Sequence, residues 1–239
     1  HDLDRLLSPQ FSSTAEWVRA VNFASGGCEF ATDEALLRIG QVAPRLRVLQ
    51  VEWVDTVTTA GICKALELMP RLESFAARYN AAVAGESIHT VLAALARYNQ
   101  RLRKLNINKL TQNPWGNGWK LVGANCHELC DVEIDESGAS DLALRELASF
   151  GRLRCVDAAF TSSDSLLPLA RLCGATLRSV ESLGINDEVL RAMAKYAPNL
   201  CSLGLAASLI TESCFLECIG AFPEPAFVWR LAGDASGTA

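Results

Sequence analysis

Residues 102–110 read LRKLNINKL. Leu102, Leu105 and Ile107 stand at the first, fourth and sixth positions. A half-buried strand alternates every second residue, and an amphipathic helix repeats every three to four. L-x-x-L-x-I fits neither period alone. The last two apolar residues keep strand spacing, and the first lies one turn earlier. The same spacing recurs along the chain. It appears as Val18, Val21, Phe23; Leu46, Leu49, Val51; and Leu72, Phe75, Ala77 before this stretch. After it come Leu129, Val132, Ile134; Leu153, Val156, Ala158; Leu177, Val180, Ser182; and Leu200, Leu203, Leu205. Ala226, Trp229, Leu231 form a degenerate ninth copy. Successive starts of the first eight copies are 23 to 30 residues apart. A register held over that length marks an array of structural repeats.

Helix-like segments fill the intervals. TDEALLRIGQVAP (32–44) opens on Thr32 as a cap, has Asp33 and Glu34 in its first turn and stops at Pro44. Acidic residues there complement the helix dipole. NDEVLRAMAKYAPN (186–199) repeats the design with Asn186, Asp187, Glu188 and Pro198. SDLALRELASFG (140–151) sets Leu144, Leu147 and Phe150 on one face and ends at Gly151. GESIHTVLAALARY (85–98) spaces Ile88, Val91, Leu92 and Leu95 likewise. Each unit is therefore a short strand, a turn and a helix of about ten residues. Stacked units bury what no unit can bury alone. The expected fold is α/β: a parallel inner sheet with helices outside, in about eight to nine repeats. The expected organisation is a capping or linker segment over 1–16, the repeat domain over 17–231 and a tail over 232–239.

This pattern resembles the leucine-rich-repeat superfamily, in particular its cysteine-containing class of about 26 residues. Residues 186–222 (NDEVLRAMAKYAPNLCSLGLAASLITESCFLECIGAF) carry the resemblance best. They match that class's helix, its "cPxL", its "L-x-L" and the "ITD/E" that opens the next helix. The ninth position of the repeat, often Asn or Cys in the family, holds Asn80, Ser137, Thr161 and Ser208. The resemblance implies a solenoid fold and a role in binding proteins. Such repeats occur in F-box substrate receptors, other intracellular adaptors and structural subunits of assemblies. Residues 1–16 are too few for the helical domain that precedes F-box repeats. A ligase role would therefore need an N-terminal domain outside these residues.

Composition narrows the function class. The formal charge of −5 and pI near 5.3 disfavour a nucleic-acid surface, which is usually basic. The longest apolar run, VLAALA (91–96), is far short of a membrane span. Nine cysteines, an odd and irregularly spaced set without C-x-x-C, together with no N-x-S/T site, suit a reducing intracellular compartment. No phosphate-binding loop, dinucleotide fingerprint, H-E-x-x-H or G-x-S-x-G occurs. The expectation is a non-enzymatic module without cofactor or metal. It would serve as a subunit or adaptor in a larger protein assembly. Ubiquitin-ligase substrate recognition and a regulatory part of an enzyme are the alternatives.

Cys126, His127 and Cys130 form the sharpest metal candidate. A structural zinc site needs four ligands, and Cys214 and Cys218 lie about three repeats away. Packing between repeats is therefore the preferred role of these cysteines. Cys155 and Cys201 fall at strand positions facing outward. His89 reads as a surface or packing residue. NPWGNGW (113–119) has two readings. Asn113 and Pro114 suit a helix start, but Gly116 and Gly118 weaken the helix after it. Trp115 and Trp119 either wedge into the core or form an exposed anchor for a partner.

The inner sheet face is where such repeats usually bind, through the residues flanking each apolar triplet. Candidate partner-binding residues are Trp53, Arg78, Tyr79, Arg103, Lys104 and Lys109, a basic and aromatic group, with Trp115 and Trp119 beside them. Glu133, Asp135, Asp157 and Glu181 form an acidic group, extended by Asp131 and Glu136. With strands about 4.8 Å apart, the two groups are expected to adjoin.

Overall fold

The structure, a computed structural model, describes residues 17–23, 31–52, 54, 56–78, 88–108, 117–135, 139–222 and 228–232. The chain divides into two compact units, His1–Leu129 and Cys130–Ala239.

The first unit alternates β1 (Ala20–Phe23), α1 (Asp33–Val42), β2 (Val48–Glu52), α2 (Thr59–Leu68), β3 (Ser74–Arg78), α3 (Ile88–Tyr98), β4 (Lys104–Asn108) and α4 (Gly118–Asn125). Its strands pair in parallel, each with the next in sequence. The second unit continues with β5 (Asp131–Asp135), α5 (Ala139–Ala148), β6 (Cys155–Asp157), α6 (Ser163–Cys173), β7 (Ser179–Glu181), α7 (Asp187–Tyr196), β8 (Ser202–Ala206), α8 (Glu212–Ile219) and β9 (Val228–Ala232). These strands are likewise parallel and in chain order. Parallel neighbours need a crossover, and within each unit the helix between two paired strands supplies it.

The register places equivalent triplet residues side by side. Val21, Leu49, Phe75 and Leu105 form one row, and Phe23, Val51, Ala77 and Ile107 another. In the second unit Val132, Val156, Val180, Leu203 and Trp229 align. Leu205 pairs with Leu231, so Trp229 and Leu231 of the degenerate ninth copy join the ladder, while Ala226 lies outside the described residues. All three residues of the second to eighth triplets are buried, Ser182 included. In the first triplet Val18 and Val21 are only half-buried.

One backbone contact explains the first leucine's offset. The carbonyl just before β1, β2, β3, β5, β6 and β7 accepts two amide hydrogens from the next repeat. Arg47 O takes Glu73 N and Ser74 N, both at 2.8 Å, and Arg154 O takes Arg178 N at 2.7 Å and Ser179 N at 3.0 Å. The chain therefore bends before the strand. The first leucine enters the core from the turn, and the next two enter from the strand.

Two expected helix caps are in place, and the start expected at 85 lies outside the described residues. Thr32 Oγ1 accepts from Ala35 N at 3.2 Å and Asn186 Oδ1 from Val189 N at 3.0 Å. Helix α5 ends ahead of Gly151, whose φ is 64°. Leu144 and Leu147 are buried beneath that helix, whereas Phe150 lies in the following turn and is half-buried. The expected start at Asn113 and Pro114 lies outside the described residues. Helix α4 begins at Gly118, so this glycine stands at the helix entrance rather than inside it. Close approach explains it: a Cβ there would meet Leu92 Cβ at 2.8 Å and His89 Nδ1 at 2.9 Å. His89 is buried, and its Nδ1 accepts from Gly118 N at 3.3 Å, which ties α3 to α4.

A second tie joins successive repeats through their helix caps. Asp33 Oδ1 and Oδ2 accept from Thr58 N and Thr58 Oγ1 at 2.8 and 2.7 Å. The same Thr58 hydroxyl accepts from Gly61 N at 3.1 Å, capping α2. Asp187 treats Thr211 identically, at 2.8 and 2.7 Å. Asp141 accepts from Ser162 N at 2.8 Å. A first-turn aspartate thus both faces its own helix dipole and holds the cap of the next helix. Thr211 holds the Asp187 carboxyl below its ordinary range through its hydroxyl and its amide.

Candidate interaction surface

In the second unit, side chains that alternate with the buried triplets point away from the core. Register carries Glu133, Asp157 and Glu181 into one row across β5, β6 and β7. Asp157 and Glu181 are exposed and Glu133 half-buried. Gly204 on β8 continues the row. A Cβ at Gly204 would lie 2.8 Å from Glu181 Cγ, so the glutamate stem leans over the bare backbone of the next strand. Asp131, Cys155, Ser179 and Ser202 form the parallel row two residues earlier, all half-buried. At the edge before the strands stand Arg154 and Arg178, both exposed. Arg178 donates to Asn199 O at 3.0 Å.

Past the acidic row, in the turns that lead to the helices, lie three exposed apolar residues absent from the sequence candidates. They are Phe160, Leu183 and Leu209, at 59 %, 36 % and 48 % exposure. Leu183 N donates to Ala159 O at 2.9 Å, which joins the first two turns. The signal in the sequence was an apolar residue just ahead of a helix cap in consecutive repeats. Inward-pointing triplets made the same composition look like core.

In the first unit two basic candidates, Arg78 and Arg103, form ion pairs. Arg78 Nε lies 3.8 Å from Glu52 Oε1, its register partner on the neighbouring strand. Arg103 Nε lies 3.7 Å from Glu128 Oε2, with both side chains more than half exposed. Lys104 is exposed. Ala76 and Asn106 occupy outward positions of the register yet are buried. The positions flanking a triplet are therefore not all open. The exposed-anchor reading of Trp119 is corrected: its ring is buried, 4 % exposed, on α4 where that helix packs against α3. A large aromatic ring gains most from this burial. Trp53, Tyr79, Lys109, Trp115 and Glu136 lie outside the described residues. Asp135 is the last residue of β5. The basic candidates belong to the first unit and Glu133, Asp135, Asp157 and Glu181 to the second.

None of the eight described cysteines forms a disulfide. Three buried thiols reach back to the preceding repeat's backbone. Cys126 donates to Asn99 O at 3.7 Å, Cys173 to Ala148 O and Cys214 to Asp187 O, both at 3.5 Å. Burial pushes the Cys214 thiol up to about 12, with neighbouring Cys218 adding to the rise, and raises Cys173 and Cys218 as well. Among the described residues no group of three or more His, Cys, Asp or Glu is arranged to hold a metal. Among them, too, no helix is long and apolar enough to cross a membrane.

These strands, crossovers and stacked triplets define a leucine-rich-repeat fold. No family model matches the chain, and no curated protein does. Solved structures do. A chain of the yeast Rad7 and Elc1 complex aligns at a TM-score of 0.71 and 12 % identity, over 95 % of this chain and 61 % of that one. The chain thus spans about three-fifths of that neighbour's length. The leucine-rich repeat-containing protein LegL7 from Legionella pneumophila aligns at 0.52 and 14 % identity, over 92 % of this chain and 76 % of its own. At such identity the likeness is one of fold.

Proposed function

We propose that residues 17–231 form a non-enzymatic protein–protein interaction module, a subunit or adaptor of a larger intracellular assembly. The carrying observation is the in-register row Glu133, Asp157 and Glu181, an extended charged surface rather than a closed pocket. A surface of this kind suits another macromolecule better than a small substrate, which is held in concave, mostly apolar sites. The yeast neighbour was solved as a complex of two proteins, which supports the same reading. Buried thiols bonded to preceding repeats support the cysteine-containing class and a reducing compartment. The binding candidates are Arg78, Arg103, Lys104, Glu133, Asp135, Asp157 and Glu181, with Trp53, Tyr79, Lys109 and Trp115. Strand β9 includes Ala232, one residue past the expected end of the repeat domain, and residues 1–16 and 233–239 lie outside the described residues.

The test is affinity purification from native extract, with mass spectrometry of the co-purifying proteins. Recovery of a defined complex supports the assembly role. A Skp1–cullin scaffold would specify the F-box-type form that residues 186–222 suggest. Charge reversal at Arg103 with Lys104, or at Glu133 with Asp157, should weaken recovery without changing the fold. Reversal at Arg145 with Glu146, on the outer helix α5, is the control. If the control alone abolishes recovery, the partner binds the helical side. If nothing co-purifies with the wild-type chain, the interaction reading fails.

A further inference from the structure

Resting on that reading, we infer the chemistry of the partner: a basic amphipathic helix, laid across β5–β7 with its cations over Glu133, Asp157 and Glu181 and its apolar face on Phe160 and Leu183. Three features of the second unit converge on it.

The first is the pairing of two stripes. Asp157 precedes Phe160 by three residues, and Glu181 precedes Leu183 by two. At no more than about 3.6 Å per residue, the carboxylate row and the apolar row lie within roughly 11 Å. That is about one helix diameter with side chains. One helix therefore spans both rows, with a cationic stripe beside an apolar stripe.

The second is spacing along the row. Three carboxylates on consecutive strands cover two strand spacings, roughly 9.6 Å. Helical residues i, i+3 and i+7 share a face and rise about 10.5 Å. Three same-side residues of an extended segment cover roughly 13 Å. The helix matches the row better.

The third is orientation. Arg154 and Arg178 stand at the opposite edge of the same strands. They repel a cationic stripe displaced toward them, so the apolar stripe falls on the turn side. Exposed large apolar residues in consecutive turns are also where a partner gains most from excluding water.

The probe is a labelled helix-forming peptide of about 18 residues, five turns, with lysines along one stripe and leucines along the adjoining one. Its comparator has the same composition permuted so that neither stripe survives. Binding is measured by fluorescence anisotropy at low salt. The striped peptide should bind at least tenfold tighter than the permuted one. Asp157→Lys with Glu181→Lys should weaken it about tenfold and flatten its salt dependence. Phe160→Ser with Leu183→Ser should weaken it about as much while keeping the salt dependence. Arg145→Glu with Glu146→Lys should leave it unchanged, and circular dichroism should show all variants folded. The inference is overturned if the two peptides bind alike, if either inner-face variant binds as the wild type does, or if no binding appears at about 100 μM, a Kd weaker than most specific contacts. Normal recovery of a native partner by both inner-face variants overturns it too, while leaving the interaction reading intact.

Discussion

Leu203→Ala tests the repeat register most directly. Leu203 is fully buried and stands in the row between Val180 and Trp229. Truncation to alanine removes three carbons, worth about 2.4 kcal/mol at about 0.8 kcal/mol each. The stacked strands on both sides limit collapse, so a cavity contribution adds to this. The total should be roughly 3–4 kcal/mol, inside the range for buried leucines. For a unit of this size, that lowers its melting temperature by on the order of 12–16 °C. Urea denaturation monitored by circular dichroism measures the loss. Hydrogen exchange should place it in the second unit, since repeats fail locally. Leu203→Asp should go further and unfold or aggregate the C-terminal repeats, because an unpaired charge would be buried between them. Leu216 on α8 is 63 % exposed, so Leu216→Ala should change stability by less than about 0.5 kcal/mol. A Leu203→Ala loss under about 1 kcal/mol, or one equal to that of Leu216→Ala, would refute the register.

The ties between repeats and the state of the thiols give three further outcomes. Thr58→Ala removes the hydroxyl that caps α2 and donates to Asp33, and should cost about 1 kcal/mol; Thr58→Ser should restore most of it, and an unchanged melting temperature for the alanine variant would remove the tie. Asp187 has its folded-state value depressed by Thr211, so its contribution is present above the unfolded value of 3.8 and is lost as pH falls through the lower folded value. The stability gap between the wild type and Asp187→Asn should therefore close in melts below that pH, and a gap that is constant from neutral to acid pH would contradict it. Reductant and chelator should leave the melting temperature nearly unchanged, and a thiol reagent on the native chain should modify half-buried Cys155 and Cys201 before buried Cys173, Cys214 and Cys218; a large loss with chelator alone would return Cys126, His127 and Cys130 to candidacy as ligands.

The sequence by itself carried the repeat, because the apolar triplet is a local geometric requirement. A bend, then a strand with alternate residues inward, must place leucines at the first, fourth and sixth positions. Thr32 and Asn186 were legible as caps for the same reason: each bonds to an amide three residues ahead. Glu133 and Asp157 could be assigned to one row once the repeat length was known. Tertiary structure alone decided which contacts span repeats. The aspartate ties join residues 21 to 25 positions apart, and the Arg78–Glu52 pair joins two strands. It also decided that Trp119, Ala76 and Asn106 are buried and that Phe160, Leu183 and Leu209 are not. Apolarity and period say that a residue suits an interface with something. Whether the neighbouring repeat or open solvent occupies that place depends on how successive repeats stack, and stacking is a property of residues distant in the chain.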